Sequence, residues 1–80
     1  MNLASFDRIT FDPQMMGGRA CIRGMRIPVS LVVNLVANGM SADEIIREYP
    51  DLEVADVQQA LGYAATLASE EVHFFSNPAA

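Results

Sequence analysis

Asn38-Gly39-Met40-Ser41-Ala42-Asp43-Glu44-Ile45-Ile46-Arg47-Glu48-Tyr49-Pro50-Asp51-Leu52-Glu53-Val54 holds the end of one helix, a second helix and the start of a third. Gly39 stands where a C′ glycine closes a preceding helix. Ser41 and Glu44 have the spacing of a capping box, with Ser at N-cap and Glu at N3, and Asp43 and Glu44 place negative charge at the positive end of the new helix. Ala42, Ile45, Ile46 and Tyr49 form its apolar face. Pro50 stops it, and Asp51-Leu52 makes the connection. Beyond Glu53, Val54, Val57, Leu61, Ala64, Ala65 and Ala68 recur at helical spacing, which predicts a third and longest helix running to Ser69 or Glu70.

Upstream, Val29 to Asn38 is rich in β-branched residues, yet Ser30, Asn34 and Asn38 fall every fourth position and make a narrow polar stripe on an apolar cylinder. This predicts a first helix, with Pro28 in its first turn. Arg8-Ile9-Thr10-Phe11-Asp12 alternates polar and apolar as a half-buried strand does, and Pro13 interrupts it. Gly17-Gly18 signals a turn, after which Arg19, Cys21 and Arg23 alternate with Ala20 and Ile22, so that the arginines would share one face of a second strand ending at Gly24. The expected fold is mainly α. A short N-terminal β-hairpin or arm (residues 1–28) precedes a three-helix, homeodomain-like or winged helix-turn-helix core (29–70), and a C-terminal tail follows (71–80), all within one domain.

Eighty residues bury only about 60% of the unfolded surface, so added stability from a partner is expected on size alone. With 51% hydrophobic and 19% charged residues the chain is expected to fold and not to remain disordered. Cys21 is the single cysteine and His73 the single histidine, which exclude an internal disulfide and a four-ligand zinc site. With no basic, apolar leader pattern in Met1 to Arg8 and no apolar run near the ~20 residues of a membrane span, the reading is cytoplasmic. The net charge of −5 argues against nucleic acid, but its distribution is uneven. Residues 1–30 hold four arginines against Asp7 and Asp12, whereas residues 31–80 hold only Arg47 against eight acids.

The run Gly17-Gly18-Arg19-Ala20-Cys21-Ile22-Arg23-Gly24-Met25-Arg26-Ile27-Pro28-Val29 resembles the glycine-arginine signature of the bacterial domain-of-unknown-function family 433. Asn38 to Ile45, then Tyr49-Pro50-Asp51-Leu52, resembles that family's helix-turn-helix half. The likeness covers roughly residues 6–68. It implies similarity to VapB-type antitoxins and pairing with a PIN-like ribonuclease toxin. Ala20 replaces a usual proline, Met25 a usual threonine, and Glu53 a usual Ser or Thr N-cap. Because a good cap contributes about 1 kcal/mol, helix three is expected to be held chiefly by packing.

For Arg19, Arg23 and Arg26 two readings stand: a basic ribbon contacting phosphate or an acidic partner, or internal salt bridges from the hairpin to the acidic helices. Gln58 and Gln59 are the only base-reading side chains on helix three, and a solvated face is their alternative. Asp56, beside them, suits the helix dipole better than it suits phosphate. Val72, Phe74 and Phe75 are candidate partner-binding residues, or fold back onto the helices. His73 reads as a surface histidine. No catalytic residue, metal site or cofactor is expected, and the chain is read as a binding module and not an enzyme. The leading expectation is an antitoxin that occludes a PIN-like ribonuclease and, in complex, represses its own promoter. That enzyme's site is acidic and metal-holding, so a hairpin arginine or the aromatic tail would block it. The alternatives are a stand-alone dimeric DNA-binding regulator and an interaction module that touches no nucleic acid. A homo- or hetero-oligomer is expected in each.

Overall fold

The computed structural model describes the backbone of residues 6–75 and the side chains of residues 6–69. Strands β1 (Ile9–Phe11) and β2 (Ala20–Ile22) pair antiparallel with Ile9 opposite Ile22, Thr10 opposite Cys21 and Phe11 opposite Ala20. Their connection closes in a 3-10 turn at Met16–Gly18, where Gly17 (φ 67°) and Gly18 (φ 81°) take the left-handed backbone that glycine tolerates. Three helices follow, α1 (Val29–Ala37), α2 (Ala42–Glu48) and α3 (Val54–Phe75). The hairpin followed by a three-helix bundle is the architecture expected from the sequence.

Local chemistry accounts for the boundaries. Pro28 lies just outside α1 as its N-cap, with φ −68° and ψ 148°, one position earlier than expected. At the other end, Gly39 (φ 96°) donates to the Val36 carbonyl at 2.9 Å and Met40 N–H to the Leu35 carbonyl at 3.1 Å, a Schellman closure. The capping box of α2 is complete, with Glu44 N–H donating to Ser41 Oγ at 3.2 Å and Ser41 N–H to Glu44 Oε1 at 2.8 Å. Helix α3 continues to Phe75, so residues 71–75, expected as tail, are helical. No glycine or proline interrupts the chain between Gly62 and Pro78, and propensity outlasts the apolar pattern there.

The core is one cluster to which every element contributes: Ile9 and Ile22 from the hairpin, Val29 and Val32 from α1, Ile45 from α2, and Val57 and Ala60 from α3, closed by Phe6 and Leu52. Full burial of such aliphatic side chains contributes about 1.5–3 kcal/mol each. Phe6 lies against α3 where Gly62 has no side chain. A Cβ there would meet the ring at 3.1 Å. Among the described residues no helix is long and apolar enough to cross a membrane.

Candidate functional site

The antiparallel register makes Arg8 and Arg23 neighbours at one end of the hairpin, where Arg23 N–H donates to the Arg8 carbonyl at 2.8 Å. Arg23 (φ 44°) and Gly24 (φ 71°) turn the chain out of β2, and the turn carries the Arg23 guanidinium towards α3. Both arginines converge on Asp56, whose side chain is fully buried. Its carboxylate accepts four hydrogen bonds: from Arg8 Nη1 (2.9 Å), Arg23 Nε (3.0 Å), Arg23 Nη2 (2.8 Å) and the backbone N–H of Glu53 (2.8 Å). Two oxygens offer about four lone-pair positions, so the carboxylate is saturated. Burial pushes its pKa up, but the hydrogen bonds from Arg23, the Glu53 backbone and Arg8 outweigh this and hold it at about 2.

The bond from Glu53 N–H also answers how α3 starts without a capping serine. Asp56 reaches back from the third helical position and performs half of a capping box, as Glu44 does in α2. The Glu53 side chain, two-thirds exposed, adds an outer ion pair to Arg8 at 2.7 Å. Gln59 joins the same assembly by accepting from Arg8 N–H at 2.9 Å and donating to Asp7 Oδ1 at 2.8 Å. This cluster is a strut between hairpin and α3.

Arg19 diverges from Arg23. Its Nη2 donates to Ser30 Oγ at 3.0 Å, in the first turn of α1, so the two arginines do not form one ribbon. The reason is the left-handed turn at Arg23, which breaks strand alternation just past Ile22. Beside Arg19 a groove of about 390 Å³ opens between β2, α1 and α3. Ala20, Val29, Val33, Tyr63, Ala64 and Leu67 give it apolar walls, and among the described residues Arg19 is its one charged lining residue. Leu67 is 48% exposed there. Phe11 is 50% exposed and packs on Tyr63 with ring centroids 6.1 Å apart.

Among the other nominated residues, Arg26 and Gln58 are exposed and Gln59 is half-buried. Val72, Phe74 and Phe75 lie outside the described side chains, as does His73. Asp56 as an anchor, and the groove with Phe11 and Leu67, are what sequence reasoning did not find. The signal for Asp56 was its position at N3 of α3, combined with two arginines that the hairpin register places side by side.

The model of the family described as "Protein of unknown function (DUF433)" matches residues 9–64, from β1 to the middle of α3. The chain belongs to the DUF433 family. The DUF433 match contains Arg23, Glu53 and Asp56 and most of the groove wall, while Arg8 and Leu67 fall just outside it. Over 61 residues the chain is 33% identical to "Uncharacterized protein y4eO" of Sinorhizobium fredii, a stretch that is 76% of this chain and 28% of that protein. The chain thus spans little more than a quarter of that relative's length. The crystal structure of a DUF433 member from Anabaena variabilis is similar to this DUF433 chain with a TM-score of 0.72 and 28% identity, covering 89% of this chain and 70% of that one.

Proposed function

We propose that this DUF433 chain is a non-catalytic, cytoplasmic antitoxin-type module that binds a PIN-like ribonuclease, occludes its acidic metal-holding site and, in complex, represses its own promoter. The observation that carries the binding role is the open apolar groove flanked by the exposed Phe11 and Leu67. Covering half-exposed side chains of this size contributes about 1 kcal/mol each, a gain that docking a partner there would supply. The class of partner rests on the similarity to VapB-type antitoxins that the family resemblance of residues 17–29 and 38–52 implies.

Autonomous DNA reading is less favoured by the side chains. Arg8 and Arg23 are engaged by Asp56, Gln59 by Asp7, and the start of α3 carries Glu53 and Asp56 where a recognition helix would approach phosphate. Arg26 and Gln58 remain for promoter contact within a larger complex. The test is co-expression with the product of the neighbouring gene. Ribonuclease activity present in that product alone and abolished in a stable complex supports the antitoxin reading. An active product that neither binds nor is inhibited refutes it.

A further inference from the structure

We infer that the groove between β2, α1 and α3 receives a segment of the protein partner that carries a bulky apolar side chain with a carboxylate beside it. The inference rests on the antitoxin reading for the identity of the partner, and on charge complementarity for the chemistry of the segment. Apolar side chains from three elements form the walls. One end is positive for two independent reasons. Arg19 stands there, held by the neutral Ser30 hydroxyl at 3.0 Å and without an ion pair among the described residues, in a chain with ten acidic residues. The first turn of α1 begins at the same place with no acidic residue and no side-chain cap. Its macrodipole favours negative charge, although the Leu31 N–H is already taken by the Pro28 carbonyl at 3.0 Å.

These features contrast with α2 and α3, whose first turns already hold Asp43, Glu44 and Asp56. A purely hydrophobic occupant would leave the Arg19 guanidinium desolvated and unpaired, and a purely acidic one would leave Val33, Tyr63 and Leu67 without cover. An apolar side chain with an adjacent Asp or Glu satisfies both. The apolar side chain lies on Val33 and Leu67, and the carboxylate takes the guanidinium in bidentate geometry.

The experiment titrates the full chain against the product of the neighbouring gene, using wild type, Arg19→Glu, Arg19→Lys and Leu67→Asp, with thermal unfolding of each variant alongside. Arg19 and Leu67 are both exposed, so all four proteins are expected to melt alike. Arg19→Glu and Leu67→Asp should each weaken binding about tenfold or more, while Arg19→Lys retains most of the affinity. Added salt should weaken the wild-type complex more than the Arg19→Glu complex. A wild-type complex that Arg19→Glu and Leu67→Asp leave unchanged overturns the groove assignment and spares the antitoxin reading. Failure of the wild type to bind removes both. Light scattering on the chain alone guards the choice of occupant, because self-association abolished by Leu67→Asp would show that a second copy fills the groove.

Discussion

At the scale of single residues, Asp56 is the one buried charged side chain among those described. A carboxylate with no exposed surface is tolerable only if every lone pair is met, and here two guanidiniums and a backbone N–H meet them. Asp56→Asn removes the charge between two arginines and replaces one acceptor oxygen with a donor. We expect it to lower the unfolding free energy by about 3 kcal/mol in urea titrations. Glu53→Gln touches the same Arg8 from a side chain 63% exposed, and should change stability by less than about 1 kcal/mol. Equal losses from the two variants would refute the assignment of Asp56 as the anchor.

The same residue sets an acid limit. Its folded pKa of about 2 lies below the ordinary 3.8, so the unfolded chain binds the proton more tightly than the folded one. The resulting stabilisation, about 2 kcal/mol, is fully present above roughly pH 4 and is lost as pH falls through about 2. The difference in stability between wild type and Asp56→Asn should therefore narrow by about that amount across this window. A gap independent of pH would show that Asp56 acts through packing alone.

At the scale of elements, the strength of the sequence reading tracks how local the determining chemistry is. The cap of α2 and the closure of α1 lie within a few residues of what they stabilise, and both were legible. Ser30, Asn34 and Asn38 are all exposed, as the polar stripe required, and Ile45 is buried with Ala42, Ile46 and Tyr49 packed beside it. The start of α3 falls at Val54 as expected, but how it is stabilised was not legible, because the compensation comes from a side chain inside the helix and from arginines 33 and 48 positions away. The groove was equally hidden, since its walls come from three elements whose packing no single stretch encodes. The local devices have testable weights. Ser41→Ala should lower stability by about 1 kcal/mol through loss of one cap acceptor. Gly39→Ala should cost about 1 kcal/mol for a different reason: a Cβ there meets nothing within 4 Å, so the whole penalty comes from φ 96°. Chemical denaturation resolves both, and an unchanged midpoint for Gly39→Ala would mean that the closure relaxes to another turn.

At the scale of the molecule, the hairpin arm and the helical core share one hydrophobic cluster. Phe6, Ile9, Cys21 and Ile22 supply four of the ten buried hydrophobic residues among those described, and Arg8 and Arg23 supply the ion pairs of Asp56. Residues 29–80 alone would expose Val32, Ile45 and Val57 and strip Asp56, at the start of α3, of its two arginine partners. We expect that fragment to lack a cooperative thermal transition. Truncation after Ser69 tests the opposite end. All ten of those buried hydrophobics lie between Phe6 and Ala60, and an isolated helical extension contributes little by itself. The truncated chain should melt within a few degrees of the full one. If the aromatic segment at residues 72–75 engages the ribonuclease, the same truncation should weaken that complex about tenfold while Arg19 and the groove remain intact. A large fall in melting temperature would instead show that these last turns of α3 belong to the fold, and the aromatic residues would then no longer be available as a separate contact.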